Sequence, residues 1–316
     1  MSTGEPHPSS PVSDRAIRLA GQSDVYLGTS SWKYEGWQGM VYKDHYPSQK
    51  AFQRRCLAEY ARYFPAVGVD ATFYRFPGEK LIDELNALTP DNFRFGLKVT
   101  EEITVWKYPT HPRYGNRKGK DNPNFLDGPL FQSHFLDVVS GLGPKLGPII
   151  FQFGTLPRPI IDDGSFLDRL KNFLQDLPKG FQYAFEIRNR QLFDQDYFDV
   201  LRQHGVAHVH SSWSWMPTLP EQIARDTSFT APYFVMRLLT PPQVAYQDAV
   251  ESFFPYQRIM KPLPGIRQAI ISHLNRALKS NFPGYVFVNN RLEGAAPLTI
   301  EQVLDEVLGP TNDTFE

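Results

Sequence analysis

Seven positions hold residues able to bind or transfer charge, and each closes or follows a short apolar run. Asp70 follows Val67-Gly-Val69, Lys98 ends Arg94-Phe-Gly-Leu-Lys98, and Gln152 ends Pro148-Ile-Ile-Phe-Gln152. Glu186 and Arg188 share the run Gln182–Arg188, Arg237 lies near the end of Tyr233–Leu239, and Asn289 follows Tyr285-Val-Phe-Val288. Side chains alternate along a strand, so one parity per run gathers these groups on one face. A carboxylate buried at a strand end needs partners, since an unpaired buried ion costs several kcal/mol or more. Lys98, Arg188, Arg237 and Arg75 outnumber Asp70 and Glu186. The face therefore expects an anion, held by forked guanidinium bonds to carboxylate or phosphate oxygens.

Within that set Glu186 is the candidate general acid or base. Burial pushes its proton affinity up and the cations pull it down. Asp70 is the second carboxylate, and Lys98 acts as a point charge or as a Schiff-base amine, an ion pair being the simpler role. Trp32, Tyr74, Arg75, Gln152, Arg188, Arg237 and Asn289 are the candidate substrate contacts, with Trp32, Trp37 and Tyr74 offering rings for stacking. The competing structural role is an ion-pair network, Lys98 with Glu186 and Arg237 with Asp70, that merely closes the top of the fold. A retaining-glycosidase pair fits poorly, because the fourth and seventh runs end in Gln152 and Arg237 rather than carboxylates. His208 and His210 share a face of the sixth run and, with Glu186 and Asp70, would form a divalent-metal site. The cations nearby oppose such a metal, and no cofactor is expected.

The elements that position these groups follow from periodicity. Strands are expected at Val25–Trp32, Val67–Pro77, Arg94–Thr100, Pro148–Gly154, Gln182–Arg188, Val206–Trp213, Tyr233–Leu239 and Tyr285–Asn290. Between them, helical spacing marks Phe52–Phe64, Glu79–Leu88, Leu130–Leu142, Ser165–Leu177, Asp196–His204 and Ile266–Ser280, with Thr299–Leu308 last. Eight strands alternating with helices predict parallel pairing through right-handed crossovers, an α/β (β/α)8 TIM barrel in one domain over residues 21–310. A doubly wound open sheet is the alternative, but no Gly-rich phosphate turn follows the first strand. Residues 1–20 are expected to form a disordered tail.

The 316 residues carry a formal net charge of −1. That excludes a global basic field, so anion affinity must be local. The one cysteine, Cys56, allows no internal disulfide and suits a reducing cytoplasm, where the chain is expected. No apolar run is long enough to span a bilayer, so no membrane partner is expected. Lys107, Arg113, Arg117, Lys118 and Lys120 crowd one long segment, which reads as a solvated loop or as a lid or phosphate-tracking arm. Partners are thus an anionic small molecule or a nucleic-acid phosphate.

Several motifs carry a family resemblance. They are Gly28-Thr-Ser-Ser-Trp32 with Tyr34-Glu-Gly-Trp37, Ala71-Thr-Phe-Tyr-Arg-Phe-Pro77, Phe93–Lys98, Leu146–Gln152, Phe185-Glu-Ile-Arg188 and Val288-Asn-Asn290. From Val25 to Leu308 the chain resembles the YecE-like family, domain of unknown function 72. The resemblance implies a TIM barrel and no established activity. It also marks departures: Gly68 and Asp70 where the family usually has Glu and Asn, and Asn189 and Leu239 where it usually has His. If those histidines transfer protons in the family, the resemblance implies altered chemistry in this chain. The expectation is an enzyme, a hydrolase or lyase, acting on an anionic substrate; the alternative is a non-catalytic binder using the same pocket.

Overall fold

Parallel pairing of eight strands, each to its neighbour in sequence, closes a barrel in the order β1 to β8, in a computed structural model describing residues 11–240, 244 and 246–309. The strands are β1 Val25–Thr29, β2 Ala66–Val69, β3 Arg94–Lys98, β4 Leu146–Gln152, β5 Tyr183–Glu186, β6 Ala207–Ser211, β7 Phe234–Leu238 and β8 Gly284–Val288. The final β8 pairs with β1 over five registered residues, from Val25 with Gly284 to Thr29 with Val288. The chain is a single (β/α)8 barrel of the TIM type.

Alternation sorts the strand side chains into two layers. Inward, the small residues Ala66, Ala184 and Ala207 leave room for Tyr26, Ile150, Tyr233, Val235, Tyr285 and Phe287, which pack as one cluster. Tyr26 and Tyr285 stack with centroids 5.2 Å apart. Outward, residues such as Leu27, Val67, Phe95, Phe151, Phe185 and Met236 join the core shared with the surrounding helices. The interior apolar cluster ends one residue pair short of the strand C-termini. Polar side chains fill the last layer.

Several elements differ from expectation. The anchor stretch leaves the strand at Val69; Asp70 is already in the αR region and Ala71–Tyr74 is one helical turn. Thr72 Oγ1 donates to the Lys98 carbonyl at 2.7 Å, and Thr100 Oγ1 donates to the Thr72 carbonyl at 2.8 Å. These bonds stitch the turn to β3 and fix Asp70 beside it. Residues 11–20, expected in the tail, are instead part of a helix. Pro11–Ser23 is a helix whose Ala16, Leu19 and Ala20 are buried and whose Arg15 pairs with Asp305 at 2.5 Å. Its apolar spacing sits behind a Ser/Pro-rich start, which masks it. Residues 1–10 of the expected tail lie outside the described residues. The helix expected over 130–142 is a broken run in which Gln132–Leu136 is a π turn, and the Pro-rich stretch after β7 contains the helix Tyr246–Phe253. Positions 241–243 and 245 of that stretch lie outside the described residues. No described helix is long and apolar enough to cross a membrane.

Candidate active site at the barrel mouth

The C-terminal ends of β2, β3, β4, β5 and β7, with the residues just beyond them, bring six of the expected residues into one network. Lys98 Nζ lies 2.9 Å from Asp70 Oδ1 and donates to Gln152 Oε1 at 3.2 Å. Arg237 Nη1 donates to the same Gln152 oxygen at 2.9 Å and pairs with Glu186 Oε2, while its Nη2 stands 3.9 Å from Asp70 Oδ1. Arg188 Nη2 reaches Glu186 Oε1 at 3.4 Å, and its guanidinium lies 3.9 Å from the Trp213 ring centroid. Lys98 thus pairs with Asp70 rather than with the expected Glu186, while Arg237 keeps the expected Asp70 at 3.9 Å and takes Glu186 as its nearer partner. Adjacency decides it: β2 and β3 are neighbours, so Asp70 and Lys98 meet first.

The two carboxylates occupy different settings. Glu186 is fully buried, and both its oxygens face guanidiniums. Burial pushes its carboxyl up, but Arg237, Arg188 and Lys98 together hold it below the usual glutamate value. Asp70 presents 37% of its side chain to solvent, so it is the carboxylate a ligand can reach. Burial pushes it up as well, and Lys98 and Arg237 more than offset this, leaving it below the usual aspartate value. It makes no helix-capping bond, which leaves its carboxylate turned to Lys98.

Lys98 carries the opposite balance. Burial lowers its affinity for a proton, Asp70 raises it, Arg237 lowers it again, and the pKa settles at about 8. The Phe73 ring lies 4.9 Å from Nζ. Below the amine, Ser30, Gly68, Asp70, Lys98 and Arg237 line a small cavity, and Ser30 Oγ is buried there without a hydrogen-bond partner.

Arg291 was not singled out in the sequence, yet its charge acts on both Asp70 and Tyr34. It lies three residues past the end of β8, in a turn where strand alternation gives no direction, so no sequence signal marks it. Asn289 itself is buried and accepts from the Arg291 backbone N–H at 3.0 Å.

Other expected residues go elsewhere. Trp32 is buried in a groove on the outside of the barrel with Leu57, Leu81 and Leu85, and Trp37 packs among Tyr34, Tyr42 and Tyr60. Neither ring faces the mouth. Beyond β1 the chain leaves strand geometry after Thr29, so strand parity no longer applies at Trp32. Arg75 is exposed beyond the Ala71–Tyr74 turn, outside this ion-pair network; Tyr74 is 59% exposed at the rim, with the Arg113 guanidinium 4.9 Å from its ring.

His208 and His210 take the outward parity of β6. His208 packs against Phe193, Tyr197 and Phe198, and His210 stacks on Phe229 and bonds Ser228 Oγ at 2.7 Å. They therefore do not join Asp70 and Glu186, because Ala207 and Val209 claim the narrow interior. Of the basic segment, Arg113 pairs with Glu101 at 2.6 Å and Arg117 with Glu102 at 2.8 Å, pinning it to the turn after β3. Asn189 spends its amide on the Leu156 backbone, accepting at 2.7 Å and donating at 3.0 Å.

The family described as protein of unknown function DUF72 matches residues 26–314. The chain belongs to the DUF72 family. UPF0759 protein YecE of Escherichia coli K12 is 26% identical over 190 residues, 58% of this chain and 58% of that protein. UPF0759 protein YunF of Bacillus subtilis 168 is 25% identical over 179 residues, 55% of this chain and 54% of that one. The aligned part thus spans a little over half of these relatives. A solved DUF72 structure from Thermotoga maritima is 21% identical with TM-score 0.58, covering 90% of this chain and 99% of that one. One from Enterococcus faecalis is 16% identical with TM-score 0.58, covering 92% and 99%. These DUF72 structures share the barrel.

Proposed function

We propose that this DUF72 barrel is an enzyme acting on a small anionic substrate, bearing phosphate or carboxylate, at the mouth of the barrel. The observation that supports this reading is the imbalance of charge: the charges of Lys98, Arg188, Arg237 and Arg291 act on Asp70 or Glu186, four cations against two carboxylates of the network. Cations gathered at a low-dielectric site repel one another until an anion shares the space. In this reading Arg188 and Arg291 take the substrate's charged end, and Gln152 and Asn289 orient it. Glu186, with both oxygens on guanidiniums, fixes those arms rather than moving protons. Proton transfer falls to Lys98 and Asp70, which touch each other and differ in reach. A single small anion suits the site better than a chain of phosphates, because Arg113 and Arg117 are already neutralised by Glu101 and Glu102.

The test is thermal unfolding in sodium phosphate against sodium chloride at matched ionic strength. At about a hundredfold excess over Kd, linkage adds about 2.7 kcal/mol, a rise of about 4 °C for a chain this long. Arg188→Gln, which leaves Arg237 on Glu186, should lose most of that rise. An equal response in both proteins, or none in either, assigns the network a structural role. A short single-stranded oligonucleotide that stabilises the protein more than phosphate does would favour the binding-protein reading.

A further inference from the structure

Among the cations of the mouth, Lys98 alone can lose its proton in the ordinary pH range, since a guanidinium stays charged. Its amine is fixed at the end of β3 between Asp70 Oδ1 at 2.9 Å and Gln152 Oε1 at 3.2 Å, with 10% of the side chain exposed. Arg237 donates to that same Gln152 oxygen, so a permanent positive charge stands one oxygen away. A cationic neighbour and burial together favour the neutral amine, the condition under which a lysine becomes a nucleophile. Burial, Asp70 and Arg237 together leave its pKa at about 8. Ser30 Oγ, buried and without a partner, lines the same small cavity and offers a hydroxyl to an incoming oxygen.

We propose that Lys98 forms a Schiff base with the aldehyde or ketone carbon of a small carbonyl acid or carbonyl phosphate. This rests on the anion site proposed above, with Arg188 and Arg291 holding the charged end. The Nζ lone pair attacks the carbonyl carbon while the C=O π pair moves to oxygen. A proton then passes from nitrogen to that oxygen, giving a neutral carbinolamine. The hydroxyl takes one further proton, supplied from solvent through Asp70, and leaves as water. The nitrogen lone pair closes the C=N bond. The product is a protonated Schiff base, so the positive charge opposite Asp70 is kept, and no oxidant or reductant takes part.

The experiment incubates the full chain with glyoxylate or glycolaldehyde phosphate in the presence of sodium cyanoborohydride, which reduces a Schiff base to a stable secondary amine. Peptide mapping by mass spectrometry then locates the adduct. The expected result is labelling concentrated on Lys98, and with inorganic phosphate about tenfold above its Kd the rate should drop about tenfold by mass action. Lys98→Arg, which keeps the charge, should lose that adduct. The wild-type map with and without phosphate decides the matter even if this variant does not fold. Adducts spread over exposed lysines such as Lys33 and Lys50, indifferent to phosphate, would overturn the proposal. If phosphate raises the melting temperature while Lys98 stays unlabelled, the covalent role falls and the anion site stands. If phosphate has no effect on either readout, both fall together.

Discussion

At the scale of single residues, Asp70 and Glu186 show how place separates two like groups. Both are held in the ionised form, yet only Asp70 can be reached from solvent. Glu186 contributes stability that is present above the unfolded carboxylate pKa and lost as pH falls through its lowered folded value. At neutral pH, Glu186→Gln would leave the Arg237 and Arg188 guanidiniums buried against an uncharged amide. The expected cost is about 3 kcal/mol or more, the usual penalty for removing one member of a buried pair, and urea unfolding measures it. A loss under about 1 kcal/mol would show the guanidiniums relaxing to water as exposed pairs do. Most of this network was legible in the sequence, because Lys98, Gln152, Glu186 and Arg237 lie on regular strands with their side chains on one parity. Arg188, two residues past the end of β5, still reaches Glu186. Trp32 and Arg75 were misplaced because they lie past the strand ends, where alternation gives no direction.

At the scale of elements, β6 is the instructive failure. Its alternation, Ala207-His-Val-His-Ser211, permits either face to point inward, and polarity suggested the histidines. The interior of an eight-stranded barrel is narrow, so the small and aliphatic parity wins there. The rings of His208 and His210 fill the layer beneath the helices instead, where Phe229 stacks between His210 and His273 at 4.4 and 4.8 Å. Burial lowers the proton affinity of all three, to about 3 for His208, about 4 for His273, and well below the usual value for His210. Their folded pKa values lie below the unfolded value of 6.5, so the unfolded chain takes up protons first. Stability present above pH 6.5 is therefore lost as pH falls below it, by about 1.4 kcal/mol per pH unit for each histidine kept neutral. Denaturant unfolding should show a clearly lower stability at pH 5 than at pH 7, a window in which carboxylates contribute little. His208→Gln should flatten the slope, and equal stability at the two pH values would contradict the assignment.

At the scale of the whole molecule, closure of the barrel depends on its thin seams, β1 with β2 and β5 with β6, each registered over two pairs. Those of β1 and β2 are Gly28 with Ala66 and Thr29 with Val67. A Cβ added at Gly28 would fall 1.9 Å from the Ala66 carbonyl oxygen, a backbone atom that cannot turn aside. Gly28→Ala should therefore push these strands apart and cost about 3 kcal/mol or more, as severe overpacking does. Its melting temperature reports the loss, and a value within about 1 °C of wild type would refute the clash by the size scaling of thermal unfolding. The closed order itself was legible because eight apolar runs alternate with helical spacing. The Pro11–Ser23 helix was not, since what holds it is contact with residues nearly 300 positions away, Arg15 on Asp305.

The guanidinium of Arg188 lying 3.9 Å from the Trp213 ring gives the molecule an optical property. A cation resting on an indole face alters the ring's excited state, so the emission of Trp213 depends on where that arm sits. Of the other four tryptophans, Trp32 and Trp37 are buried outside the mouth and Trp106 packs on Phe125, a steady background. Trp215, 74% exposed, is removed by Trp215→Phe. Any solute that draws Arg188 off the ring thus changes the protein's own fluorescence, and occupancy of the mouth becomes visible without a label.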